Sequence, residues 1–439
     1  MSFDRLGLMP ELLRAVAQQG YTEPTQVQRE SIPIVLDGRD LLAGAQTGTG
    51  KTAAFVLPIL QRLTQNTSNG SNGRRAVRAL ILTPTRELCL QVEESVRTYG
   101  GQRPVTSAAI YGGVDYDKQV RRLLQGAQIV VATPGRLLDH TRQRTVDLSR
   151  VEVLVLDEAD RMLDMGFIPD VRRILALLPR QRQNLLFSAT LHEPIRRLAS
   201  EFMDDPVSVQ VTPEQPAAEL VRQVVIPVDR ARKRELLSRL IRSGRIEQAL
   251  VFTRTKHGAS RLAQQLERDG IRATAIHGDK NQAQRVRALN DFKQGRMDIL
   301  VATDVAARGL DIDALPHVVN FELSAVPSDY VHRIGRTGRA GADGDAISLV
   351  SAEESPLLAG IERLLGRQIE TETVVGFEPA APVRRTPAEP RRGQRSWSGR
   401  PARARRHMPV RRGSAAPTPV PSAGPGFATL PGERFARGE

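Results

Sequence analysis

Three carboxylates lie within four residues at the end of an apolar run. Residues 151–160 read VEVLVLDEAD, so that Asp157, Glu158 and Asp160 directly follow a hydrophobic stretch. Such a run is typical of a buried strand in a parallel sheet, and acids at its end are suited to handling a metal-bound phosphate. In isolation the string is more simply explained as a solvated turn, so its interpretation depends on the rest of the chain.

A glycine-rich segment could supply a phosphate cradle. Residues 45–52, AQTGTGKT, lie between an apolar stretch and a helix-like run. They match the P-loop pattern except at the first position, where alanine stands. Gly48 and Gly50 can still open the loop so that backbone N–H groups and a helix N-terminus face an anion. We therefore expect Lys51 to reach the outer phosphates and Thr52 to hold Mg²⁺; a plain glycine-rich turn is the alternative.

A second unusual cluster, HRIGRTGR, occupies residues 332–339. On a helix Arg336 and Arg339 would share a face, so that two guanidinium groups could project toward one anion. Such groups, when they reach a phosphate from outside the P-loop domain, form the arginine-finger arrangement. The alternative is a helix that faces solvent or nucleic acid, which Gly335 and Gly338 disfavour because they destabilise an ordinary exposed helix.

Short β-like runs alternate with amphipathic stretches over residues 1–376, as in a doubly wound α/β protein with parallel sheets. Residues 211–221 contain two prolines, lack periodicity and are predicted to be a linker between domains 1–210 and 222–376. The candidate strands fall into two sets, at 80–83, 105–110, 129–132, 153–156 and 184–188, and at 249–253, 272–276, 299–302, 318–321 and 345–349.

The net charge of +14 is unevenly distributed. Residues 377–439 contain 13 arginines and only 4 acidic residues, among many prolines and glycines. This composition predicts a disordered basic tail, which is a common electrostatic partner of nucleic acid. A solubilising tail without a specific ligand is the alternative.

Composition narrows the protein class further. A chain of 439 residues is long enough for two or three domains. The start lacks an apolar signal core and no run reaches membrane-spanning length, so we expect a cytoplasmic protein without membrane contact. Cys89 is the single cysteine, which excludes an intrachain disulfide and a cysteine-based zinc cluster. No heptad pattern or apolar stripe indicates an oligomer.

With these motifs in view, the chain resembles the DEAD-box RNA helicases, superfamily 2 proteins built from two RecA-like domains. The resemblance extends from about residue 2 to about residue 376, and its motifs occur in the family's order. The start MSFDRLGL, the segment AQTGTGKTAAF and the basic tail are most similar to the bacterial RhlE-type subgroup. The resemblance implies an ATP-dependent RNA helicase that unwinds or remodels RNA duplexes and RNA–protein complexes, with ATP as substrate and Mg²⁺ as cofactor.

The resemblance also assigns nucleotide-binding and catalytic roles. Residues 20–28, GYTEPTQVQ, are similar to the family's Q motif, in which Tyr21 would stack on adenine and Gln28 would hydrogen-bond its edge. Asp157 would hold Mg²⁺, and Glu158 would orient and activate the attacking water. The remaining implied contacts are those of the P-loop, the ribose and the arginine fingers: Thr47, Gly48, Thr49, Gly50, Lys51, Thr52, Asp311, Arg336 and Arg339.

Two further groups of residues follow from the resemblance. The coupling of hydrolysis to unwinding would involve Asp160, Ser188, Thr190 and His332, with Asp160 reaching Gln, His or Arg groups across the cleft. Hydroxyls, glycine amides and arginines suit phosphate and 2′-OH groups, so binding would be independent of base sequence. The implied RNA contacts are Pro84, Thr85, Arg86, Gly112, Gly113, Thr133, Pro134, Gly135, Arg136, Arg254, Gln282, Arg285, Thr303 and Asp304.

The mechanism implied by the resemblance is cleft closure, in which ATP and single-stranded RNA bind across both domains and closure brings the arginine fingers to the γ-phosphate. Two alternatives remain open. One is a DNA-directed ATPase of the same superfamily, against which the Q motif and the DEAD sequence argue. The other is an RNA clamp or annealing chaperone whose tail is the main RNA-binding element. The tail could also recruit the protein to ribonucleoprotein assemblies.

Overall fold

The computed structural model describes residues 2–46, 48–65, 76–101, 105–211, 221–307, 310, 312, 315–338 and 344–383. Thr47, Asp311 and Arg339 lie outside the described residues, as do residues 212–220 of the predicted linker and residues 384–439 of the predicted tail. The described chain forms two seven-stranded sheets in which all neighbouring strands run parallel. We refer to residues 2–211 as the first lobe and to residues 221–383 as the second lobe.

The sheet of the first lobe has the strand order β3-β4-β2-β5-β6-β1-β7. Most of its strands are four apolar, fully buried residues, because helices cover both faces of a parallel sheet. The seven strands are Leu41–Gly44 (β1), Ala79–Leu82 (β2), Ser107–Ile110 (β3), Ile129–Ala132 (β4), Val153–Leu156 (β5), Gln183–Ser188 (β6) and Val207–Gln210 (β7).

The helices of the first lobe connect these strands, and a short 3-10 helix at Phe3–Leu6 precedes them. Helix α2 begins with a capping box between Thr25 and Gln28, which satisfies backbone N–H groups at its start. The helices are Pro10–Gln18 (α1), Gln26–Leu36 (α2), Lys51–Gln65 (α3), Arg86–Gly100 (α4), Tyr116–Leu124 (α5), Pro134–Arg142 (α6), Ala159–Asp164 (α7), Ile168–Leu175 (α8) and Glu193–Ser200 (α9).

The strand order explains how distant motifs meet. Strands β2, β5, β6 and β1 are consecutive neighbours, and their carboxyl ends lie at one edge of the sheet. The segments that leave these ends contain Pro84, Asp157, Thr190 and the P-loop, and Ser188 is the last residue of β6. In an open parallel sheet this edge is the usual place for a ligand.

The second lobe repeats the architecture with the order β10-β11-β9-β12-β13-β8-β14. Its strands are Val221–Pro227 (β8), Ala249–Thr253 (β9), Ala273–Ile276 (β10), Ile299–Thr303 (β11), His317–Asn320 (β12), Gly344–Val350 (β13) and Glu370–Thr371 (β14). Its α-helices are Lys233–Arg242 (α10), Lys256–Arg268 (α11), Gln282–Lys293 (α12), Asp304–Ala307 (α13), Pro327–Ile334 (α14) and Ser355–Leu365 (α15), with 3-10 helices at Arg230–Arg232 and Ala352–Glu354.

The predicted fold class, two α/β lobes with parallel sheets, is confirmed. Each of the ten candidate strands is present, with ends that differ by at most two residues. Strands β7, β8 and β14 were not predicted, and β1 was noted only as an apolar stretch before the glycine-rich segment. Strand β7 is partly exposed at the edge of its sheet and β14 has two residues, so neither gives a strong apolar signal.

The end of the second lobe also differs from the prediction. Phe377, which the composition assigned to the tail, is buried, and its ring lies 4.4 Å from the Arg232 guanidinium carbon and 5.8 Å from that of Arg239. A buried aromatic ring between two arginines adds cation–π attraction to its packing. The folded chain therefore continues at least to this residue.

Candidate active site

The P-loop begins where β1 ends. Ala45 N donates to Ser188 O at 2.9 Å, which ties the start of the loop to the end of β6. Gly48 and Gly50 have φ angles of 82° and 88°, a conformation that glycine adopts without strain. Lys51 is buried, and its Nζ donates to Ala45 O at 2.8 Å. The ammonium group therefore lies over the loop that would hold a phosphate.

Gln28 connects the predicted Q motif to this loop. Its Oε1 accepts from Thr25 N at 3.0 Å, and its Nε2 donates to Gly50 O at 3.1 Å. Tyr21 is 55 % exposed at the same side of the lobe. In this structure the amide of Gln28 bonds the protein's own backbone, and the adenine contact stays a prediction.

Asp157 and Glu158 follow β5 as expected. Asp157 is 2 % exposed, and its Oδ1 has no hydrogen-bond partner in the described structure. Burial raises the pKa of this carboxyl to about 7, an effect that the nearby Lys51 ammonium opposes. A buried, unpartnered carboxylate oxygen that lines the same cavity as the hydroxyl-bearing Thr52 is the kind of oxygen donor that Mg²⁺ prefers. These residues therefore fit the metal that the resemblance implies.

Replacing Asp157 by Asn is expected to stabilise the nucleotide-free protein, and more at pH 8 than at pH 5. Because the folded pKa is raised to about 7 from 3.8, the folded state binds the extra proton between these values. The free energy of unfolding therefore falls as pH rises through this window. Melting temperatures measured with a chelator test the prediction, with the exposed Asp164→Asn as control. A gain that is equal at both pH values would contradict it.

Asp160 is held within its own lobe. Its Oδ2 accepts from Ala189 N and Thr190 N, both at 3.1 Å, and from Thr190 Oγ1 at 3.3 Å. Ser188 Oγ in turn accepts from Asp160 N at 3.3 Å. The resemblance implied that Asp160 would contact groups across the cleft. In the structure it instead joins the acidic motif to the segment after β6. Adjacent strands β5 and β6 make this contact short.

One cavity of about 680 Å³ contains most of the predicted nucleotide residues. Both lobes contribute to it, because Leu310 and Arg336 of the second lobe line it together with first-lobe residues. Arg336 is 7 % exposed, and its Nη1 donates to Leu310 O at 2.8 Å. The first-lobe lining includes Tyr21, Gln28, Gly48, Gly50, Lys51, Thr52, Asp157 and Glu158.

The predicted helix through Arg336 is wrong. Helix α14 ends at Ile334, Gly335 follows as its C-cap, and Gly338 has a φ of 64°. Gly335, one of the two glycines that disfavoured an exposed helix, is thus the residue at which the helix ends. His332 lies in the last turn of α14 and lines a small cavity with Asp304 and Arg336.

The predicted RNA residues of the first lobe come together around three loop ends. Thr85 caps α4 by accepting from Leu88 N at 3.3 Å, and Pro134 opens α6 after Thr133. The Arg136 guanidinium bonds Val114 O at 3.4 Å, which connects the segment after β4 to the one after β3. Arg86 lies against Gly112 and Gly113. Arginines and exposed backbone therefore share one face.

Replacing Gly113 by Ala is expected to destabilise the protein by about 1–2 kcal/mol, because its φ of 81° strains any other residue. An added Cβ would also lie 2.7 Å from Arg86 Cζ and displace that side chain. Denaturant unfolding measures the effect. Gly135→Ala is the matched control, since no heavy atom lies within 4 Å of its Cβ position. Equal stability of both variants would contradict the prediction.

Two predicted RNA residues of the second lobe, Arg254 and Asp304, bond charged side chains to which the sequence analysis gave no role. Arg254 N donates to Glu322 Oε2 at 2.7 Å. Asp304, which follows Thr303 at the end of β11, accepts two bonds from the Arg333 guanidinium at 2.5 and 2.7 Å. These pairs fix the loops at the carboxyl edge of the second sheet.

Gln282 and Arg285 lie at the contact between the lobes. Arg285 Nε donates to Glu87 Oε1 at 2.8 Å, and Gln282 Nε2 donates to the same oxygen at 3.3 Å. Direct RNA contact for these two residues stays a prediction. Glu87 was missed, although it directly follows Arg86, because a sequence does not show which residue of another domain will face it.

The described part of the chain contains no group of three or more His, Cys, Asp or Glu side chains arranged to bind a metal. Among the described helices, none has the length and hydrophobicity needed to cross a bilayer. Cys89 is fully buried, which raises the pKa of its thiol to about 12.

Comparisons with known proteins agree with this geometry. Residues 25–198 match the DEAD/DEAH box helicase family, and residues 232–341 match the helicase conserved C-terminal domain. The ATP-dependent RNA helicase CshA of Listeria monocytogenes is 45 % identical over 368 residues, which are 84 % of this chain and 69 % of that protein. The DEAD-box ATP-dependent RNA helicase CshA of Geobacillus kaustophilus is 44 % identical over 84 % of this chain and 78 % of that protein.

Solved structures give the same result. S. cerevisiae Dbp5 bound to RNA and ADP BeF3 superposes with a TM-score of 0.73 at 34 % identity, covering 86 % of this chain and 95 % of that one. Mss116p bound to ssRNA and AMP-PNP gives a TM-score of 0.75 at 29 % identity, covering 85 % and 80 %. The two lobes are thus RecA-like, and the chain belongs to the DEAD-box ATP-dependent RNA helicases.

Proposed function

We propose that this protein unwinds or remodels RNA locally by closing the cleft between its lobes on ATP and RNA. The observation that supports this most directly is the shared cavity, in which the P-loop and the acids of the first lobe face Arg336 of the second. A phosphate chain bound there would touch both lobes. ATP binding and the position of the second lobe are therefore coupled in one site.

In the proposed reaction, Lys51 exchanges its bond to Ala45 O for the outer phosphates of ATP. Thr52 and Asp157 would hold Mg²⁺, which when bound neutralises charge on the phosphates. Glu158 orients a water molecule for attack on the γ-phosphoryl group and receives its proton. Arg336 stabilises the charge that the transition state places on the phosphoryl oxygens. The ADP product has one phosphate fewer to hold the lobes, and the cleft reopens.

RNA would bind the face where Arg86, the Gly112–Gly113 segment and Arg136 converge, continued by Arg254 and Thr303 on the second lobe. Guanidinium groups, hydroxyls and backbone amides recognise the sugar–phosphate backbone and not the base edges. One strand bent across both lobes cannot keep a regular duplex partner, so strands separate locally. Many different RNAs would therefore be substrates.

The test is nucleic-acid-stimulated ATP hydrolysis together with unwinding of a short RNA duplex. We expect single-stranded RNA to stimulate turnover strongly and single-stranded DNA of the same sequence to stimulate it weakly. Duplex separation should require ATP. Equal stimulation by DNA would favour a DNA-directed ATPase, and duplex separation without ATP would favour an RNA clamp or annealing activity.

Three finer assignments remain proposals. Membership of the RhlE-type subgroup rests on the sequence start and the basic tail, whereas the relatives reported above carry the name CshA.

The arginine-rich tail is proposed to anchor RNA or ribonucleoprotein assemblies. A chain ending at Val383 should then keep its RNA-saturated ATP turnover and need more RNA at moderate salt. Cytoplasmic location is proposed from the sequence alone.

A further inference from the structure

Arg161 is a buried arginine of the first lobe with a contact at the centre of the site. Its Nη1 donates to Glu158 Oε2 at 2.7 Å, and the two side chains are 10 % and 9 % exposed. Helix α7 begins directly after Glu158, so a spacing of three residues brings the pair to one face. Away from water, such an ion pair is stronger than the surface pairs of equal spacing, for example Arg173 with Asp170.

Glu158 is also held by its backbone. Its φ of 54° and ψ of 52° place it in the left-handed region, which costs about 1–2 kcal/mol for a residue other than glycine. Strained residues persist where the surroundings hold them, and they occur often at functional sites. The Glu158 carboxylate is thus held in one direction at the edge of the sheet, where it bonds the guanidinium of Arg161.

The other side of Arg161 faces the second lobe. It lines a small cavity together with Phe252, Asp304, His332 and Arg336. Arg161 therefore lies between the proposed base and the groups whose position changes if the cleft opens and closes. Asp304 attracts the charge of Arg161 and Arg336 repels it. The strength of the bond between Arg161 and Glu158 therefore depends on the positions of these two groups.

We propose that Arg161 is a positioning residue that restrains Glu158 and thereby makes ATP hydrolysis depend on RNA. The inference rests on the proposed role of Glu158 as the base. As a base, Glu158 takes up a proton and loses its negative charge. The Arg161 guanidinium stabilises that negative charge and therefore opposes the proton transfer. RNA bound at Thr303 and Asp304 places phosphate charge near Arg161, which loosens its bond to Glu158. The carboxylate is then able to bind the attacking water.

The experiment compares ATP turnover of Arg161→Gln with and without RNA in the full-length protein. Loss of one charge-assisted hydrogen bond should raise RNA-free turnover by about tenfold. RNA-saturated turnover should stay within about twofold, because RNA already releases the bond, and the stimulation ratio should fall accordingly. The shorter Lys side chain keeps the charge but not the planar fork, so Arg161→Lys should fall between Gln and the parent. Arg173→Gln, the matched exposed control, should change neither rate.

Two measurements separate restraint from a merely structural role. ATP affinity and the melting temperature of Arg161→Gln are determined alongside turnover, and Arg161→Lys decides the question if the Gln variant unfolds. RNA-free turnover that falls or stays at the parent value in a folded variant overturns the proposal. The double variant Arg161→Gln, Glu158→Gln should be as inactive as Glu158→Gln alone. If it keeps raised turnover, the base is another group and the proposed reaction itself is wrong.

Discussion

Replacing Glu158 by Gln is expected to lower RNA-stimulated ATP turnover by about 10²–10⁴-fold, the usual contribution of a general base. Gln has nearly the same shape and can still contact a water molecule, but it cannot accept the proton. Binding of ATP and RNA should persist, because the P-loop and the RNA-facing loops are unchanged. Steady-state hydrolysis with saturating RNA, together with equilibrium binding of a labelled ATP analogue, measures the two effects separately.

The matched control is Glu193→Gln, which changes an exposed carboxylate of the same lobe that pairs with the exposed Arg197 at 2.9 Å. It should leave hydrolysis and binding unaffected. Full RNA-stimulated turnover in Glu158→Gln would reject Glu158 as the base. Loss of ATP binding in that variant would instead indicate that the carboxylate, or its bond to Arg161, supports the fold of the site.

Local sequence patterns predicted the sheet edges well. The apolar run before Asp157 is a buried strand, and the glycine-rich segment leads into a helix that begins at Lys51. These features depend on residues close in sequence, where hydrophobic periodicity and glycine conformation act directly. The same reasoning failed for Arg336, because the glycines that flank it were considered as defects in a helix and not as its end.

Contacts between distant segments were much harder to predict. Asp160 was expected to cross the cleft, yet neighbouring strands bring it to the backbone of Ala189 and Thr190. Neither Arg161 nor Glu87 was singled out. Arg161 makes a short bond to the proposed base Glu158, and Glu87 makes one to Arg285 of the other lobe. A charged residue in a motif gives no local signal for its partner, since the partner depends on topology and on the other lobe.

The contact between Glu87 and Arg285 leads to the second large expected effect. Their side chains are 7 % and 11 % exposed, and each lobe contributes one partner. Leaving one buried charge without its partner costs about 3–5 kcal/mol. Since this pair forms only when the lobes meet, the cost falls on the closed arrangement. Reversal of either charge, Glu87→Arg or Arg285→Glu, should therefore raise the RNA concentration for half-maximal ATP turnover by at least about 10²-fold.

Reversing both charges should restore much of the RNA affinity, because the pair forms again with opposite polarity. The recovery should be incomplete, since Gln282 then faces an arginine instead of the Glu87 carboxylate to which it donates. Fluorescence energy transfer between dyes on the two lobes, with RNA and an ATP analogue present, reports closure in the same variants. Arg287→Glu is the control, since Arg287 lies on the same helix and is 85 % exposed. If the double variant is as defective as Arg285→Glu while closure is normal, Arg285 acts by binding RNA directly. Recovery in both assays would instead show that a pair of side chains between the lobes sets how tightly the cleft closes on its RNA.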